Sequence, residues 1–102
     1  MNILKINKKK LDSFFVAKHG FIPMLYYLNW LVSEEQYETC ELIKDALNKS
    51  NTELNLNLPI ILEFSEITTL FADAFEEKGM SGITALINLP HYIQAIHEEL
   101  TQ

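Results

Sequence analysis

The stretch FIPMLYYLNWLV, from Phe21 to Val32, is the longest nearly apolar run of the chain, and only Pro23 and Asn29 interrupt it. Proline suits the first turn of a helix, so the run predicts a helix over about residues 22–32. Its side chains are apolar almost all the way round. A helix without a polar face lies either at the centre of a fold or against a partner. How this helix is covered therefore decides the fold.

Length and composition favour a single cytoplasmic domain. The chain has 102 residues, of which 48% are hydrophobic, and a net charge of −6; these values predict one globular domain over residues 1–102. The apolar run has 12 residues, fewer than the roughly 20 that cross a bilayer. The lysines near the N-terminus follow the apolar residues there, which is not the order of a signal peptide. A lone cysteine, Cys40, fits a reducing compartment.

Helical spacing continues on the N-terminal side of the run. Leu11, Phe14 and Phe15 share one face, and Gly20 stands where a left-handed helix end favours glycine. This segment predicts a first helix over about residues 8–19.

The C-terminal side of the run begins with a capping pattern. Ser33 and Gln36 have the spacing of a capping box, which predicts a third helix over about residues 34–48. Because so few residues separate them, the second and third helices are expected to form an antiparallel αα-hairpin.

Residues 53–58 interrupt the helical pattern. Leucine and asparagine alternate there, which predicts a short half-buried strand paired with residues 2–7. An extended linker is the alternative interpretation.

The second half of the chain returns to helical spacing. From Pro59 to Gly79 the apolar residues fit either one helix or an extended piece followed by a shorter helix that Ser65 caps. A helix over residues 82–88 follows, and Pro90 opens a last helix.

Together these patterns predict an all-α fold, a single compact bundle of about five helices with an αα-hairpin. A minor two-stranded β element from residues 2–7 and 53–58 is an alternative addition. The interior of so short a chain is limited, and an obligate oligomer would enlarge it. The large side chains assigned to this interior are Phe14, Phe15, Tyr26, Tyr27, Trp30, Phe64, Phe71, Phe75, Tyr92, Ile93, Ile96 and Leu100.

No pattern predicts a catalytic or metal site. Cys40 lies on the apolar face of the third helix, where a cysteine is typically a small buried hydrophobe rather than a nucleophile. The other residues of this face are Tyr37, Ile43 and Leu47. His91 and His97 lie about 240° apart on a helix, so they cannot bind one metal ion together. The sequence therefore predicts no enzyme, no metal and no cofactor.

The acidic residues are more regularly placed. On the third helix they recur at i, i+4, i+7 and i+11, opposite the apolar face. We call this set the acidic stripe: Glu34, Glu38, Glu41 and Asp45. Such a stripe is either a solvated face or a surface that docks a basic partner.

Nucleic-acid binding is the alternative function. Residues 81–88 and 91–100 have the lengths of a helix-turn-helix pair, and Lys8, Lys9 and Lys10 form a basic cluster. The chain has no arginine, and the last helix has no lysine, so this pair lacks the groups that hold phosphate. Residues 1–20 carry a net charge of +4 and the rest of the chain a net charge of −10. The acidic body disfavours a nucleic-acid partner.

A local motif occurs in residues 28–47, LNWLVSEEQYETCELIKDAL. Its matching residues are Glu34, Glu35, Tyr37, Glu38, Cys40, Ile43, Lys44 and Asp45. The stretch resembles the UVR motif, a short helical hairpin of nucleotide-excision-repair proteins and Clp-protease adaptors, although that family usually has arginine in place of Lys44. The resemblance covers about a fifth of the chain and implies protein–protein contact through the hairpin rather than catalysis.

These patterns favour a non-catalytic protein–protein interaction module, with neither a membrane nor a nucleic acid as its partner. Tyr26, Tyr27 and Trp30 would serve as aromatic anchors, and the acidic stripe would orient a protein with a basic surface. We expect the module either to self-associate or to act as an acidic inhibitor or adaptor, such as a phage or mobile-element product.

Overall fold

The fold is described by a computed structural model for residues 5–77 and 88–102. In these ranges the chain forms one 3₁₀ turn, Lys8–Lys10, and five α-helices: α1 Ser13–His19, α2 Phe21–Ser33, α3 Tyr37–Glu53, α4 Phe64–Glu77 and α5 Leu89–Thr101. No residue of the described ranges is in a strand. The predicted all-α bundle of about five helices is confirmed. The predicted helix over residues 82–88 lies outside the described residues.

Helix α2 lies at the centre of the bundle. The other four α-helices of the described ranges all pack against it. Six of its side chains are at most 1% exposed: Met24, Leu25, Tyr26, Tyr27, Leu28 and Leu31. The apolar run is therefore covered by its own chain and needs no second molecule to bury it. Neither α2 nor any other helix of the described residues is long and apolar enough to span a membrane.

The first helix begins later than the sequence predicts. Residues 8–10 form a 3₁₀ turn, and α1 starts after Asp12, whose carboxylate accepts a hydrogen bond from the Phe15 N–H at 2.8 Å. Phe15 and Val16 are buried, whereas Phe14 is 78% exposed. The assignment of Phe14 to the interior is wrong, because Phe15 and Val16 form the inner face of this short helix.

Gly20 joins α1 to α2. Its N–H donates to the Val16 carbonyl at 2.8 Å, and its own carbonyl accepts from the Met24 N–H at 3.2 Å. Its φ of 94° and ψ of 143° lie in a region that side chains with a Cβ rarely adopt. The predicted end of the first helix at Gly20 is confirmed.

Helices α2 and α3 form the predicted αα-hairpin, but with a different turn. Ser33 is the last residue of α2, and its hydroxyl donates to the Trp30 carbonyl at 2.6 Å. The predicted capping box is wrong because this hydroxyl bonds back to α2 instead of capping α3. Glu35 takes a positive φ of 57° in the turn, and α3 begins at Tyr37.

The segment after α3 is an extended connection. Asn51, in the last turn of α3, holds it: the Asn51 amide nitrogen donates to the Leu58 carbonyl at 2.9 Å, and the Asn51 side-chain oxygen accepts from the Leu58 N–H at 3.3 Å. Leu54, Leu56 and Leu58 are 50%, 45% and 40% exposed. The predicted half-buried strand over 53–58 is wrong, because Glu53 still belongs to α3, Leu54 and Asn55 form a turn, and an α3 side chain bonds Leu58. Residues 2–4 of its predicted partner strand lie outside the described residues. The linker interpretation is confirmed.

Helix α4 begins at Phe64, so the alternative of an extended piece followed by a shorter helix is confirmed. The predicted cap is wrong, because Ser65 is the second residue of the helix and lies inside it. Phe64 is 50% exposed, although its ring meets that of Tyr26 with centroids 5.5 Å apart. Ile67 is 0% exposed and ties α4 to the core. The side chains of Phe71 and Phe75 lie outside the described part of the chain.

The N-terminal segment closes the end of α5. The Asn7 N–H donates to the Leu100 carbonyl at 2.7 Å, and the Lys10 ammonium donates to the Glu99 carbonyl at 3.1 Å. Both carbonyls belong to the last turn of the helix, where such groups have no partner within the helix. Ile96 and Leu100 on the inner face of α5 are 0% exposed. Hydrogen bonds therefore connect the N-terminal segment of the described chain to the C-terminal end of α5.

The Glu99 carboxylate makes the stability of this junction depend on pH. It is bonded by Lys18 at 2.9 Å and by His19 at 2.8 Å, and these partners hold the pKa of Glu99 below its ordinary value. Such a carboxyl stabilises the fold above its unfolded pKa, and the stabilisation is lost as pH falls through the lower, folded pKa.

We therefore expect Glu99→Gln to lose less stability than the wild-type chain on acidification. Urea denaturation at a series of pH values between about 7 and 3 measures this difference. Glu38→Gln, which removes an exposed carboxylate from α3, controls for the change in net charge. The same pH dependence in Glu99→Gln and in the wild-type chain would contradict a stabilising role for the Glu99 pairs.

Candidate functional site

Cys40 is a core residue. Its side chain is 3% exposed, and its Sγ lies 4.0 Å from the Leu28 carbonyl oxygen. Burial raises the pKa of the thiol, which keeps it protonated and weakens it as a nucleophile. The prediction of a small buried hydrophobe is confirmed. In the two described ranges, no group of three or more His, Cys, Asp or Glu side chains could hold a metal ion.

Tyr26 and Tyr27 are also core residues. The helices around α2 leave them 1% and 0% exposed. The Tyr26 hydroxyl donates to Thr68 Oγ1 at 2.9 Å, and the Tyr27 hydroxyl lies 3.2 Å from His97 Nδ1. Because both side chains are enclosed within the chain, they cannot serve as the surface anchors that the sequence predicts.

Trp30 is the predicted anchor that reaches the surface, where it is half-buried at the end of α2. Its ring stacks on Tyr27 with centroids 5.8 Å apart and planes at 22°. It also meets His97 edge-on, with centroids 5.1 Å apart and planes at 69°. Two aromatic neighbours hold the indole in place, so a ligand would meet a preformed surface.

A groove opens beside Trp30, between α2 and the first turns of α5. It has a volume of about 440 Å³, which is in the range of small-ligand and side-chain pockets. We call it the Trp30 groove, and its lining residues are Trp30, Leu89, Pro90, Ile93, Gln94 and His97. Since the first four are apolar, the groove favours an apolar side chain.

His97 adds one polar atom to the groove. The Tyr27 hydroxyl is buried, and burial raises its pKa, so it stays protonated and needs an acceptor. His97 Nδ1, at 3.2 Å, is in position to be that acceptor. A neutral imidazole that accepts at Nδ1 carries its proton on Nε2, and in that tautomer His97 has one N–H left to donate.

Two exposed glutamates are connected to residues that line the groove. Glu34 follows Trp30 by one helical turn, and its backbone N–H donates to the Trp30 carbonyl at 3.0 Å. The Glu98 carboxylate accepts a hydrogen bond from the Gln94 amide at 2.9 Å. We call Glu34 and Glu98 the acidic rim.

The rest of the acidic stripe lies on the outer face of α3, where Glu38, Glu41 and Asp45 are exposed. Helices α3 and α5 both pack mainly against α2. Of the predicted acidic residues, the structure therefore brings only Glu34 next to Trp30.

The sequence predicts one wall of the groove and misses the other. His97 lies 70 residues after its partner Tyr27, and no local pattern indicates that these two residues meet. The one available signal is the i, i+4 spacing of Ile93 and His97, which places them on the same face of a helix.

This site has to be interpreted from its own geometry. Comparison of the chain with protein-family models, with curated proteins and with solved structures gives no match.

Proposed function

We propose that this chain is a non-catalytic protein-binding module that docks a basic, apolar protein segment in the Trp30 groove. The observation that carries the proposal is a preformed apolar groove, with Glu34 one helical turn after Trp30 and Glu98 hydrogen-bonded to Gln94. The apolar walls favour an aliphatic or aromatic side chain, and the negative rim favours lysine or arginine next to it.

The polar atom of the groove fits a protein segment. His97 Nε2–H needs an acceptor, and every residue of a bound segment offers a backbone carbonyl. The acidic rim disfavours an anionic ligand at the same place. Trp30 and Glu34 both belong to the stretch that resembles the UVR motif, and that resemblance also implies contact with protein.

The nucleic-acid alternative has less support. The α5 surface that would read DNA borders the acidic rim at Glu98, and a carboxylate repels phosphate. Two lysines of the basic N-terminal region are bonded within the chain, because Lys10 and Lys18 both donate to Glu99.

The fluorescence of Trp30 reports on binding in the groove, because Trp30 is the only tryptophan of the chain. We expect an amphipathic peptide of leucine and lysine to shift the Trp30 emission to shorter wavelength in a saturable way, since its leucines would remove water from the indole. The rim variant Glu34→Lys, Glu98→Lys should bind the peptide about tenfold more weakly. Each exposed charge pair contributes up to about 1 kcal/mol, and tenfold in Kd is about 1.4 kcal/mol.

A matched variant separates the acidic rim from the net charge. Glu38→Lys, Glu41→Lys makes the same change in charge on the outer face of α3, and we expect its Kd to stay within about threefold of wild type at physiological salt. A peptide of leucine and glutamate should not bind. Equal losses in the two double variants, or a loss confined to the α3 variant, would contradict docking in the groove.

A further inference from the structure

We infer that the partner of the Trp30 groove is a second copy of this chain, which inserts Phe14. The inference rests on the proposed function, since it names the source of the basic, apolar segment. The chain displays that chemistry itself at the start of α1, where Phe14 follows a cluster of lysines.

Phe14 is an exposed side chain on a part of the backbone that is fixed by hydrogen bonds. It is 78% exposed, and both of its neighbours in the chain are anchored. The Phe15 N–H donates to the Asp12 carboxylate at 2.8 Å, and the Ser13 hydroxyl donates to the Glu53 carboxylate. A phenyl ring on a fixed helix start can dock with little further loss of conformational entropy.

The net charge of the N-terminal segment that carries Phe14 is opposite to that of the acidic rim, although the carboxylates of Asp12 and Glu53 bond the residues on either side of Phe14. Residues 1–20 carry a net charge of +4. Lys8 and Lys9, shortly before Phe14, are exposed. Carboxylates next to the groove and lysines next to the ring would attract two copies in this orientation and disfavour groove-to-groove contact.

The groove also fits the ring. Its volume of about 440 Å³ admits a phenyl group. Trp30 and His97 supply aromatic surface on one side, against which a third ring can pack edge-on or offset. Leu89 and Ile93, on the same helix as His97, supply aliphatic surface.

The two surfaces lie on different parts of one molecule. The segment before Phe14 meets α5 at Leu100, its C-terminal end, whereas the groove lies about 10 Å away along the helix, at Ile93, given a rise of about 1.5 Å per residue. A contact between Phe14 of one copy and the groove of the next leaves one free groove and one free Phe14. Such a heterologous contact continues head-to-tail.

Sedimentation velocity of the full chain over a range of concentrations tests the inference. We expect the weight-average mass to rise with concentration beyond that of two chains. Phe14→Ser and the rim variant Glu34→Lys, Glu98→Lys should each need at least about tenfold more protein to associate. Leu56→Ser changes another exposed apolar residue, 45% exposed, and should associate like the wild-type chain. Circular dichroism verifies that each variant remains helical.

Mixing the two variants distinguishes a head-to-tail contact from a symmetric one. Phe14→Ser keeps a functional groove, and the rim variant keeps Phe14. An equimolar mixture should therefore form dimers of one copy of each variant and no larger species. A wild-type chain that stays monomeric overturns the inference, while the peptide titration still decides the proposed function separately. Association of either variant alone at the same protein concentrations as the wild-type chain also overturns it. So does a monomer that instead binds anionic vesicles through Phe14 and the lysines.

Discussion

Leu28→Ala is expected to lower the free energy of unfolding by about 2–5 kcal/mol, the usual cost of a large cavity in a packed core. Leu28 is 0% exposed in the middle of α2, the helix against which the other four helices of the described ranges pack. The domain has only 102 residues, and domains of this size are typically stable by about 5–15 kcal/mol. The substitution should therefore remove a large fraction of the total stability.

Urea denaturation of Leu28→Ala measures this loss. In the Phe14→Ser background, which removes the inferred self-association, the midpoint should be independent of protein concentration, because only a helix covered by a second chain would still be stabilised by mass action. Leu56→Ala is the matched control: Leu56 is 45% exposed, and we expect a change within about 0.5 kcal/mol. Similar small losses in the two variants would contradict the central position of α2.

Gly20→Ala should lower the free energy of unfolding by about 1–3 kcal/mol. The φ of 94° at Gly20 is unfavourable for any residue with a Cβ, and an added Cβ would also lie 3.3 Å from Pro23 Cδ. Gly20 ends α1 and begins α2, so the chain cannot relax there without moving one helix against the other.

Glu35→Gly is the reciprocal substitution. Glu35 has a φ of 57° in the turn between α2 and α3, where glycine relieves strain of about 1 kcal/mol but costs entropy on folding. We expect its stability to equal or slightly exceed that of the wild-type chain. Denaturation curves of both variants test the pair, and a Gly20→Ala protein as stable as wild type would show that this junction does not require the positive φ.

The sequence predicts the fold well where one local pattern dominates. The apolar run of α2 has no polar face, so its central position is one of only two possible arrangements. Gly20 marks the end of α1 because few other residues tolerate its backbone angles. These signals depend on single residues or on one helix, and the structure confirms them.

Prediction fails where two local interactions compete. The Ser33 hydroxyl can cap α3 or bond back to Trp30, and the sequence does not show which is used. Asp12 starts a new helix inside a segment whose spacing already fits a helix. Asn51 bonds Leu58 in place of a neighbouring strand. In each case a polar side chain decides the local structure.

The candidate site is predicted only in part, because it depends on packing between distant helices. In a helix that is apolar on every side, the sequence pattern does not distinguish an exposed aromatic residue from a buried one. Of Tyr26, Tyr27 and Trp30, only Trp30 reaches the surface. His97 meets Trp30 because α5 packs on α2, a contact that no local pattern indicates. The acidic residues are visible in the sequence, but their position relative to an apolar groove is not.

The most direct test of docking in the Trp30 groove is a map of the chemical-shift changes of backbone amide and indole N–H groups during titration with the leucine–lysine peptide. We expect the largest changes at the indole N–H of Trp30 and at the α5 residues of the groove, Ile93, Gln94 and His97. Changes confined to Glu38, Glu41 and the rest of the outer face of α3, with Trp30 unaffected, would contradict it.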